Sequence, residues 1–107
     1  MDLEALKAAK AEAYQRYAEA AEQLHDAYWV RLQERLAEIR QAIMERYPGA
    51  VVEAERTQWT SSDEFMFDHW LDVRLSESDC ASPGVYEWLA DALPSLEGVA
   101  FRLRRLP

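Results

Sequence analysis

Two histidines, one cysteine and a few paired carboxylates are the side chains in this sequence with the types and spacing to do chemistry. A nucleophilic centre at Cys80 needs a base beside it. Its position has some promise, because Ser82-Pro83 reads as a helix start and the dipole of a following helix lowers a thiol pKa. The available bases are His25 and His69, and His69 lies between Phe67 and Leu71 on the apolar side of an alternating run. His69 is therefore expected as a buried, hydrogen-bonded structural residue, and Cys80 as an inert small one.

A metal centre built on Asp68, His69 and Asp72 meets a geometric objection. In a strand, successive side chains point to opposite faces, so His69 faces away from both aspartates. The carboxylate pairs Asp63-Glu64 and Asp68/Asp72 are not placed in a cleft by anything in the sequence. Gly49, Gly84 and Gly98 are too scattered to form a phosphate-cradling loop. The expectation is a protein without catalysis, cofactor or metal.

The elements that carry these residues are dominated by one stretch. Met1 to Tyr47 contains no glycine or proline and is rich in Ala, Glu, Leu, Arg and Gln, which lose little side-chain freedom in a helix. Asp2 suits its amino end and Arg46 its carboxyl end, and Pro48-Gly49 stops it. At about 1.5 Å per residue the helix is about 68 Å long, whereas the remaining residues, if compact, have a radius of gyration of roughly 10 Å. Less than half of the rod can be covered.

Large apolar residues say which half. Tyr14, Tyr17, Ala21, Leu24, Tyr28, Leu32, Leu36, Ile39, Ile43 and Tyr47 recur at steps of three and four and form one stripe. Before Tyr14 the stripe thins to Leu3, Leu6, Ala9 and Ala13. At Ala27-Tyr28-Trp29-Val30, four successive apolar side chains face nearly all round the helix. This is either a wide core face with one exposed aromatic or a helix touched on two sides. A break at Gln23–Asp26, with Asp26 capping a second helix, is a third arrangement, but no glycine, proline or asparagine is there to make the turn.

Residues 50–59 read as a strand with Val52 and Ala54 inward, and 60–64 as a hairpin connection. Phe65 to Leu75 alternates with a period of two and is the strongest strand. Ser76–Ala81 reads as a polar loop. Val85, Trp88, Leu89, Ala92 and Leu93 then make one helical face, ended by Pro94, and Gly98 turns the chain into a last strand at 99–104. The fold class is α+β, in the order α-β-β-α-β. The long helix and the short one pack on one face of a three-stranded mixed sheet, with the strand order open and the crossover right-handed. One domain, 1–107, comprises the helix at 1–47 and a ββαβ module at 48–107.

Charge narrows the choice of partners. The chain carries a net −8, made up of −2 over residues 1–47, −9 over 48–97 and +3 over 98–107. So acidic a middle repels phosphate backbones, and no direct nucleic-acid binding is expected. There is no membrane-spanning run or signal-peptide pattern, and the single cysteine fits a reducing compartment, so a cytoplasmic location is expected.

The favoured expectation is a protein-binding module whose projecting helix pairs with a second copy or lies along a partner. The contact residues on this reading are Leu3, Leu6, Tyr14, Tyr17, Leu24 and Trp29. The open sheet face adds Trp70, set among Glu53, Glu55, Asp68, Asp72, Arg74, Arg102 and Arg104, with the aspartates facing the arginines in exposed ladders. The alternative is an acidic inhibitor of the immunity or phage counter-defence kind. It would occupy the basic site of a nucleic-acid enzyme through Glu53, Glu55, Asp63, Glu64, Asp68 and Asp72.

Overall fold

The computed structural model describes residues 2–57, 68–93 and 95–107. The first helix, α1 (Leu3–Arg46), is unbroken through Gln23–Asp26, so the hairpin arrangement does not occur. Asp2 caps it by accepting a hydrogen bond from the Glu4 amide at 3.2 Å. Three strands follow: β1 (Val51–Arg56), β2 (His69–Leu75) and β3 (Val99–Arg105). Their order is β1-β2-β3, with β1 antiparallel and β3 parallel to β2. The expected α+β fold is present. The hairpin connection at 60–64, the start of the second strand at 65–67 and the stop at Pro94 lie outside the described residues.

The crossover from β2 to β3 departs from the sequence reading. The segment expected as a polar loop contains a one-turn helix, α2 (Glu77–Cys80), capped by Ser76, whose hydroxyl accepts from the Asp79 amide at 3.2 Å. The next helix, α3 (Val85–Ala92), starts after Gly84 rather than at Ser82-Pro83. Gly84 sits at φ 77°, a left-handed conformation that separates the two helical segments. Ser82 is not a cap; its hydroxyl donates back to the Ser78 carbonyl at 3.2 Å.

One face of the sheet makes the core. Leu32, Leu36, Ile39 and Ile43 of α1 and Val85 and Leu89 of α3 pack with Val52, Leu71, Val73 and Leu75 in a single cluster. Val52 and Ala54 point inward as expected, opposite Val73 and Leu71. Tyr47 meets Trp88 edge-on at 5.6 Å, and the Arg46 guanidinium lies 4.8 Å over the same indole. Arg40 ties the helix to the sheet by donating to the Val52 carbonyl at 2.8 Å.

The covered part of α1 begins at His25, and its buried residues are His25, Leu32, Leu36, Ile39 and Ile43. Upstream, apart from the half-buried Ala18 and Ala21, the helix is exposed. The molecule measures 66 × 24 × 23 Å with a radius of gyration of 19.0 Å. A compact chain of this length has a radius near 13 Å, so the excess reports the projecting rod.

Candidate protein-interaction surfaces

The first surface is the bare half of α1. Leu3 is 63% exposed, Leu6 48%, Tyr14 54%, Tyr17 66% and Leu24 51%. These five are the expected helix contacts other than Trp29, and among the described residues none belongs to the core. Leu24 does not continue into the buried stripe, because at that turn His25 faces the sheet instead. At the junction Ala27-Tyr28-Trp29-Val30, Tyr28 and Trp29 turn toward the module, while Ala27 and Val30 are exposed. Trp29 packs at the core edge with its ring 5.1 Å from His69, so it is not a projecting anchor. Tyr28 lies against Gly98, and Val30, not an aromatic, is the large residue left 54% exposed.

His25 was not singled out by sequence reasoning as a core residue, yet it anchors the junction between rod and module. Its Nδ1 is 3.1 Å from the Asp68 carboxylate, and its ring centroid is 4.3 Å from that of His69. The His69 Nε2 donates to the His25 carbonyl at 2.9 Å, which fixes the tautomer and leaves Nδ1 as a buried acceptor without a partner among the described residues. Burial pushes the His69 pKa below its ordinary value, with the charges of His25 and Arg56 acting the same way. The hydrogen bond to the His25 carbonyl and the charge of Asp68 oppose that shift. His69 is thus the neutral structural histidine expected.

The same contact corrects the position of Asp68. It belongs to the bend before β2 and turns its carboxylate to His25, rather than standing with Asp72 on the open sheet face. Cys80 and His69 lie at opposite ends of the β2 region, about 20 Å of strand apart. The half-buried Cys80 thiol donates weakly to the Leu75 and Arg104 carbonyls at 3.7 and 3.6 Å.

The open sheet face is the second surface, and it is less exposed than expected. Asp72 is 2% exposed, not part of an outward ladder. It accepts from Arg74 Nε at 2.8 Å, Arg102 Nε at 3.0 Å and Arg104 Nε at 2.8 Å. Burial works to raise its carboxyl pKa, but the hydrogen bonds from Arg104, Arg102 and Arg74 outweigh that and hold it below the ordinary value. Glu55 pairs with Arg102 and lies 3.9 Å from Arg104. Trp70 is half-buried beneath the Arg102 guanidinium, 5.3 Å from its ring, and borders a groove with Tyr86, Leu96 and Phe101. Glu53 is exposed, while Asp63 and Glu64 lie outside the described residues.

No known protein family matches the chain, and neither a curated protein nor a solved structure is significantly similar to it. Among the described residues no helix is long and apolar enough to cross a membrane, and no group of three potential metal ligands is gathered.

Proposed function

We propose that this chain is a non-catalytic protein-binding module that engages its partner through the projecting half of α1. The observation that carries this reading is the contrast along one helix: Leu32 and Ile43 are fully buried, whereas Leu3, Leu6, Tyr14, Tyr17 and Leu24 are about half exposed or more. A monomeric domain has no folding reason to hold leucines and tyrosines out on a rod, and such patches mark interaction sites. The open sheet face supports binding less well. Asp72 and Glu55 are already neutralised by the protein's own arginines, and Asp68 is engaged by His25, which weighs against the acidic-inhibitor alternative.

The test compares the whole chain with a Leu6→Glu, Tyr17→Glu variant as baits in an extract of the cells that express it. Glutamate keeps helix propensity high, so circular dichroism and the unfolding midpoint should be unchanged. The variant is expected to lose a protein that the parent retains. Identical captures, together with a compact monomer whose first helix is cut freely by protease near its start, would defeat the reading.

A further inference from the structure

The bare half of α1 has a charge pattern that specifies its occupant. Leu3, Leu6, Lys10, Ala13, Tyr17, Ala20 and Leu24 alternate strictly at three and four residues, the spacing of a two-helix seam. All seven are solvent-exposed. At about 100° per residue, Glu4, Glu12, Glu19, Glu22 and Asp26 form a second line on the side of the helix opposite that seam. Gln15 joins this acidic line by donating to Glu19 at 3.4 Å, and Asp26 ends it by pairing with Arg56 of the module. Apart from the capping Asp2, whose carboxylate accepts from the Glu4 amide, the seam has no acid on it or beside it. Lys10 stands within it, Lys7 flanks it on one side and Arg16 on the other. Lys7 reaches Glu4 at 3.9 Å, with both side chains largely exposed, a contact that water and salt weaken. One turn away from Lys10 are Leu6, Lys7, Ala13 and Tyr14, so its own helix offers it no carboxylate.

We infer that the occupant of this face is an amphipathic helix of another protein whose apolar seam is flanked by carboxylates. The inference rests on the module reading above and names the chemistry of its partner. A second copy fits poorly. Parallel and in register, it stacks Lys10 on Lys10 within the seam. Antiparallel, it brings Lys7, Lys10 and Arg16 to the contact against no acid but the capping Asp2 at the helix tip, because every glutamate of this segment points away. A lipid surface fits poorly as well, since the side of the rod opposite the seam carries carboxylates rather than the lysines and arginines of interfacial helices, and the attached module is acidic. A helix with leucine in its seam and glutamate on its flanks supplies both the apolar contact and the counter-charge that Lys10 lacks on its own helix, whereas Lys7 and Arg16 have glutamates one turn away.

The probe is a labelled peptide of about 25 residues with leucines at seam positions and glutamates at the flanks, compared with a twin carrying lysines at the flanks. Fluorescence anisotropy with the full chain should give binding of the glutamate peptide at least about tenfold tighter than the twin. That binding should weaken as salt is raised from about 50 to about 500 mM. Lys7→Glu, Lys10→Glu, checked for unchanged helix content, should reverse the preference. Equal binding of the twins, tighter binding of the lysine peptide, self-association in sedimentation abolished by Tyr17→Glu, or uptake onto anionic phospholipid vesicles would overturn the inference. If the glutamate peptide fails while the Leu6→Glu, Tyr17→Glu bait still loses its captured protein, the acidic-helix inference falls and the module reading stands. If both experiments fail, so do both readings.

Discussion

His69 ties acid sensitivity to the packing of rod on module. Its side chain is fully buried and neutral, its Nε2 spent on the His25 carbonyl and its Nδ1 without a partner among the described residues. Because its folded-state pKa lies below the ordinary 6.5, the unfolded chain takes up the proton first as pH falls. The stability it contributes is complete above about pH 6.5 and declines below that value toward its depressed pKa. His69→Gln keeps a donor near the Nε2 position but cannot titrate. Urea midpoints measured from pH 7.5 to pH 5 should fall less steeply in that variant than in the parent. Asp72 acts in the same direction at lower pH, adding stability above its ordinary 3.8 that is lost as pH falls through its depressed value. Asp72→Asn leaves Arg74, Arg102 and Arg104 crowded without their shared anion, and chemical unfolding should register a loss of about 2–3 kcal/mol. Alternation in the sequence placed Asp72 correctly on the face away from the core. It could not convey that three guanidiniums close over the carboxylate, because that depends on the register between β2 and β3, where Asp72 pairs with Arg102 and Arg74 with Arg104. His25 is illegible for a related reason: set among Glu22, Gln23 and Asp26, it reads as one more polar residue and carries no periodic signal of its own.

The elements were largely legible where one physical preference acted alone. High summed propensity and the absence of breakers placed α1 almost to the residue, and its cap at Asp2 followed. Competing local preferences made the crossover harder. Ser82-Pro83 has the composition of a helix start, but Ser76 caps an earlier turn and Gly84 takes the left-handed conformation between α2 and α3. Gly98 makes the turn that the sequence marks, and its surroundings admit no other residue. Its φ is 78°, and a Cβ there would sit 2.3 Å from the Tyr28 ring. Its carbonyl also accepts from the Asp68 and His69 amides at 2.9 and 3.0 Å, joining the last turn to the start of β2. Burial comes first in raising the Tyr28 phenol pKa above its ordinary value, followed by its hydrogen bond to Glu97, beside that glycine. Gly98→Ala combines backbone strain with displacement of the ring and should cost about 2–3 kcal/mol in equilibrium unfolding.

At the scale of the whole molecule, the half of α1 before His25 adds length without adding to the core of the described residues. Deleting residues 1–20 should therefore leave the unfolding free energy, measured in urea, within about 0.5 kcal/mol of the parent while shortening the particle in small-angle scattering. The bare segment spans about 33 Å and stays helical by continuation from the packed half, which has already supplied the costly first turns. Its amides are guarded only by their own ladder, so they should open and close many times before the module unfolds once. Deuterium uptake along α1 then becomes an occupancy gauge. Labelling should be rapid from Leu3 to Leu24 in the solitary protein and slow from Leu32 onward, and the boundary should retreat toward the amino end as a companion clamps the tip.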